Sequence, residues 1–146
     1  MLVGLLSAAV AMTLAVVGWE LARRVRRRDQ ERADLTEVDR LLRRLGVRMR
    51  LLDDQDDVLT AASDDCQALR SLKYELGSVE LPALPEVGAV LADVVRRLDA
   101  FLGTALPANS TGAGTLTQAR QQGRSAQEVL SAVRTAQDVV GRLRVR

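Results

Sequence analysis

The sequence predicts an all-α protein, an N-terminal transmembrane helix followed by an antiparallel helical bundle or helical hairpin of three to four helices. Three observations carry that expectation. Met1 to Trp19 contains no charged side chain and runs into Arg23, Arg24, Arg26, Arg27 and Arg28. Beyond that cluster the apolar residues recur at spacings of three and four and nowhere alternate with period two, which is the helical pattern and not the strand pattern. The aromatic residues are Trp19, Tyr74 and Phe101 alone, so the interior has to be built from Leu, Val and Ala, a palette suited to helix-on-helix packing.

At about 1.5 Å of rise per residue the uncharged stretch makes a helix of roughly 28 Å, close to the ~30 Å hydrocarbon thickness of a bilayer. Residues 1–22 are therefore expected to form a signal-anchor helix and 23–33 a basic juxtamembrane segment. The arginines resist translocation, which places the N-terminus outside and residues 34–146 in the cytoplasm, on the inner face of the cell membrane. A cleaved signal peptide is the competing reading. It wants positive charge before the apolar core, whereas here the arginines follow it, and no small-x-small cleavage site lies between Val17 and Arg28. Trp19 falls where an amphipathic ring favours the membrane surface, and the arginines can attract anionic headgroups at about 1 kcal/mol each. Gly4, Ala8, Ala11, Ala15 and Gly18 share one face of this helix at spacings of four, three, four and three, the small-residue pattern by which membrane helices approach closely. Weak self-association through that face is the expectation.

The helical domain begins with a seam of Leu35, Val38, Leu42, Leu45, Met49 and Leu52, widened by Leu41 and Leu51. This seam is one residue out of phase with the small face before it, which argues against a single coiled coil from Gly4 to Leu52. No Pro precedes Pro82, so the first helix is expected over about 34–77, with an interruption near Asp53 to Ser63 as the alternative. Leu59, Ala62, Cys66, Leu69, Leu72 and Leu76 carry the period onward to a stop at Gly77. Pro82 and Pro85 make Ser78 to Glu86 a turn. A helix over about 86–103 follows, with Val87, Leu91, Val94, Leu98 and Phe101 as its stripe, flanked by Val90, Val95 and Leu102, and Gly103 as its end. Residues 105–115 read as a flexible connector. The last helix, about 116–145, is strongest after the capping-box pair Ser125 and Glu128, along Val129, Val133, Ala136, Val140 and Leu143.

The net charge of +2 conceals three blocks: +5 over residues 20–50, −7 over 51–104 and +4 from 105 onward. The acidic middle is expected to fold against the basic flanks. Of the 21 basic residues all but Lys73 are Arg, which together with the Ala and Val content points to GC-rich codons and hence a bacterium or its phage. Cys66 is the lone cysteine and reads as a small buried residue.

The chain has no histidine, hence neither the commonest general base nor the commonest metal ligand, and Cys66 has no partner with which to form a thiol dyad or a zinc site. Gly112-Ala113-Gly114-Thr115 lacks the Lys of a phosphate loop. An enzyme is not expected, nor a cofactor, a metal or a small-molecule substrate. Asp53, Asp54, Asp56 and Asp57, with Asp64 and Asp65, form the one carboxylate constellation, but its spacing fits no calcium loop; carboxylates facing Arg on another helix are favoured over a cation site. Nucleic acid is an unsuitable partner, since acids are interleaved with the arginines after Arg28. The expectation is a membrane-anchored scaffold that meets other proteins through helix packing. A transmembrane signal-transmission adaptor and a bilayer-disturbing phage protein are the alternatives.

Overall fold

The computed structural model describes residues 2–55, 58–107 and 115–146, with side chains from Val10 onward and from Leu116 onward in the last segment. Among them are four α-helices: α1 (Leu2–Asp54), α2 (Asp64–Gly77), α3 (Pro85–Gly103) and α4 (Thr115–Arg144). The chain divides into two compact units, Met1–Asp34 and Leu35–Arg146.

The first unit is helix throughout its described length, and its apolar side chains, among them Met12, Leu14, Val16 and Leu21, are exposed. Among the described residues no helix is long and apolar enough to cross a membrane. The side chains at positions 1–9, which open the expected anchor, lie outside the described set.

In the second unit the remainder of α1 joins α2, α3 and α4 around one hydrophobic core. Inter-helix pairs give the arrangement. Arg48 and Arg44 of α1 reach Asp65 and Glu75 of α2, so these helices run antiparallel. Arg97 of α3 reaches Glu128 of α4, while Gln118 and Gln122 reach back to the end of α3 at Thr104, again antiparallel. Asp39 meets Arg144 and Asp53 meets Gln127, which sets α4 antiparallel to α1 and closes an up-down-up-down four-helix bundle.

Leu35, Val38, Leu42, Leu45 and Met49 are buried in that core and Leu52 is partly so; the seam is covered by helices of its own chain rather than by a coiled-coil partner. Leu41 joins it at 2 % exposure, but Leu51, expected to widen the seam, points outward at 56 %. The α3 stripe is buried from Val87 to Leu102, with Val90 and Val95 at its margins. In α4, Leu130, Ala132 and Val139 add a second buried row beside the expected one.

Two expectations require correction. The expected helix over 34–77 is two helices, broken between Asp54 and Asp64, where the alternative reading placed an interruption. The acids explain the break: Asp53 and Asp54 at the C-terminal end of α1 oppose its dipole, whereas Asp64 and Asp65 in the first turn of α2 complement theirs. Ser63 caps α2 by accepting the Cys66 N–H. Leu59 is buried within the break and not on a helix, and Ala62 is exposed. The second correction concerns α4, which starts at Thr115, so Ser125 lies in its interior and is not an N-cap.

The connector also departs from expectation at its start. Ala105 to Pro107 does not run free: the Leu106 N–H donates to Leu59 C=O at 3.0 Å, and the Ala61 N–H donates to Leu106 C=O at 2.8 Å, a short parallel bridge centred on Thr60 and Leu106. The rest of the connector, 108–114, lies outside the described residues.

Candidate functional site

Two places combine polar chemistry with a defined geometry. The first is a basic face in the N-terminal unit. Trp19, Arg23, Arg26, Arg27 and Gln30 lie at spacings of four, three, one and three, which brings them onto one side of α1, where they line a shallow crease. The Arg23 guanidinium sits 5.3 Å from the centre of the Trp19 ring, within cation-π range. Arg24 and Arg28 fall on the neighbouring side, where Arg24 reaches Glu20 at 3.5 Å. Of the five arginines of the cluster, Arg24 alone forms an ion pair among the described residues. All five are exposed.

The second place is a polar knot at the bundle end that holds the α1–α2 and α3–α4 connections. Gln122, 6 % exposed, accepts the Leu59 N–H at 2.8 Å through its Oε1 and donates through Nε2 to Leu59 C=O at 3.1 Å and Thr104 C=O at 2.9 Å. With these three of the four hydrogen bonds its amide can make, Gln122 ties together α4, the α1–α2 connection and the end of α3. No buried side-chain nitrogen or oxygen among the described residues is left without a partner. An open cavity of about 210 Å³ adjoins the knot, lined in part by Asp53, Gln55, Phe101 and Gly123. Sequence reasoning did not select Gln122. The signal was present, because the α4 stripe of Ala126, Val129 and Val133 extends back to 122 at helical spacing, and an amide at an apolar position asks for buried partners.

The remaining residues singled out from the sequence are dispersed. Ala11, Ala15 and Gly18 of the small face are exposed, and Gly4 and Ala8 fall where side chains lie outside the described set. The Asp cluster does not converge: Asp53 accepts from Gln127 at 2.6 Å, Asp65 pairs with Arg48 at 3.1 Å, and Asp56 and Asp57 lie outside the described residues. Among the described residues no three acidic or cysteine side chains come together around a metal-sized space. Cys66 is free and buried.

The charge blocks interlock in part. The pairs Arg44–Glu75 and Arg48–Asp65 join the basic N-terminal block to the acidic middle within one chain. The C-terminal block instead uses Arg144 on Asp39, and Arg97–Glu128 at 3.9 Å reverses the expected signs. Two carboxyls are held below their ordinary range: Glu37 by the Arg40 guanidinium and Asp93 by those of Arg96 and Arg97. Both lie on the surface, where solvent screens such pairs.

No protein-family model, curated protein or solved structure matches the chain.

Proposed function

We propose that the protein is a single-pass, membrane-anchored interaction protein, with its N-terminus outside and its helical bundle tethered at the cytoplasmic face. The observation that carries this reading is the junction at Trp19: an uncharged run from Met1, then an interfacial tryptophan, then five arginines within six positions. The exposed apolar side chains from Val10 to Leu21 agree with it, because such a surface asks for an apolar solvent and the chain offers it no cover among the described residues.

The bundle favours a tether over a signal transmitter. A transmitting coiled coil needs the Leu35 to Leu52 seam at a subunit interface, yet Leu35 to Met49 of that seam are buried inside one chain and Leu52 is partly so. Association with partners is then left to the outer faces of the bundle. The test is cell fractionation combined with a C-terminal phosphatase fusion. The protein is expected to stay in the membrane pellet through alkaline carbonate, and the fusion to be inactive. Release by carbonate, or a phosphatase active in the periplasm, overturns the reading.

A further inference from the structure

We infer that the face formed by Trp19, Arg23, Arg26 and Arg27 is a binding site for the phosphate headgroup of an anionic phospholipid, an inference that rests on the membrane reading above. The arginines of the cluster divide by side, and only one side forms a crease. On the first side lie Arg24, paired with Glu20, and Arg28, which has no ion pair among the described residues. On the other, Arg23, Arg26 and Arg27 line a common crease with Trp19 and Gln30 and have no carboxylate among its lining residues. Three guanidinium groups on one helix face repel one another unless an anion sits between them, and phosphate matches their planar donor pairs.

The aromatic residue completes the chemistry. With Arg23 stacked 5.3 Å above it, the indole holds one guanidinium in place by its face, so that the donor edges remain available to a phosphate. A tryptophan at this depth belongs at the headgroup level of a bilayer, the same level as a lipid phosphate. Gln30, one turn beyond Arg26 and Arg27, ends the crease with an uncharged amide suited to the hydroxyls of a headgroup. A lipid is the occupant favoured over nucleic acid because the basic character ends there: Asp29, Glu31 and Asp34 follow at once.

Trp19 is the only tryptophan in the chain, so its fluorescence reports on this site alone. The full-length protein in a nonionic detergent is titrated with short-chain phosphatidylglycerol, short-chain phosphatidylcholine or inorganic phosphate. Phosphatidylglycerol is expected to shift the emission saturably, and the other two are not. Replacing Arg26→Gln with Arg27→Gln should weaken the phosphatidylglycerol response by about tenfold or more, whereas Arg24→Gln with Arg28→Gln, which removes the same charge from the other side, should leave it within about twofold. Equal loss in both double variants would mean that only total charge matters, and overturns the site. So does an equal response to inorganic phosphate, or displacement of the lipid by a DNA duplex. Flotation with phosphatidylcholine vesicles separates the two readings: a protein that floats but shows no phosphatidylglycerol response keeps its anchor and loses the site, and one that does not float loses both.

Discussion

Leu14 and Leu42 are the same residue in the same helix, yet Leu14 is 68 % exposed and Leu42 is fully buried. The contrast holds along both stretches of α1. From Val10 to Val25 the apolar side chains are exposed wherever they fall around the helix, whereas from Leu35 to Met49 all the large ones but Val47 form one stripe and that stripe is buried. A stripe is what a helix needs when neighbouring helices cover one side and water the other, and an all-round apolar surface is what it needs when the surroundings are apolar on every side. The difference teaches that the residue pattern changes along one helix where its neighbours do: with covering helices the apolar side chains gather on one side, and without them they are exposed all round.

The largest expected effect breaks one half of this contrast without touching the other. Leu45→Asp puts an unpaired charge at a fully buried position and should cost at least about 4 kcal/mol, enough to abolish the cooperative melting of the bundle followed by circular dichroism. Leu14→Asp should leave that melting within about 0.5 kcal/mol. On the membrane reading it should instead oppose insertion by about 2.5–3.5 kcal/mol, seen as loss from the membrane fraction. If both substitutions melt the bundle alike, the division into two differently solvated stretches is wrong.

A smaller effect sharpens what makes the bundle self-contained. Gln122→Met keeps the side-chain volume but leaves the Leu59 N–H without its acceptor and takes one donor each from the Leu59 and Thr104 carbonyls, which keep Leu106 N–H and Gln118 Nε2, and this should cost about 1–3 kcal/mol in chemical denaturation. Amide exchange should quicken first at Leu59 and Leu106, whose hydrogen bonds the knot supports.

Gly46→Ala moves stability the other way. A methyl group there would meet Val133 Cγ1 at 3.6 Å, an ordinary contact between α1 and α4, so the helix-propensity gain of about 0.5–1 kcal/mol should appear as a raised melting temperature. A lowered one would show that α1 and α4 pack more tightly than their side chains indicate.

The smallest effect is electrostatic. The Arg96 and Arg97 guanidinium groups hold the Asp93 carboxyl below its ordinary value. A carboxyl depressed in the folded state contributes stability above its unfolded pKa of about 3.9 and loses it as the pH falls through the folded value. Asp93→Asn should therefore lower the melting temperature slightly at neutral pH and flatten its decline below about pH 4. The side chain is 35 % exposed, which keeps the change small. A decline as steep as that of the unsubstituted protein would remove Asp93 from the acid response.

Local chemistry made much of the bundle legible. The stripes of α1 and α3 could be listed because each residue's partners three and four positions away share its face, a relation that needs no knowledge of the fold. The end at Gly77, the start at Pro85 and the end at Gly103 follow from the conformational limits of glycine and proline. The errors fall where a local signal met a non-local one. Ser125 and Glu128 have capping-box spacing, but contacts from Gln118 and Gln122 to Thr104 hold the preceding turns as helix, outweighing both the cap and the roughly 1 kcal/mol cost of Gly123. Leu51 looks like a seam residue by type but is exposed, on a side of α1 that no other helix covers.

By itself, then, the sequence determined that the chain is helical, which sides of its helices are apolar, and where the charge-free run gives way to arginine, because each is a property of neighbours along the chain. The tertiary structure decided which apolar stripe covers which, that the seam beginning at Leu35 is closed within one chain, and that Leu59 and Leu106 are drawn together around Gln122. Those outcomes depend on groups as far apart as the 63 residues between Leu59 and Gln122. A buried amide takes whichever backbone partners the packed helices bring within about 3 Å, and periodicity carries no record of that choice.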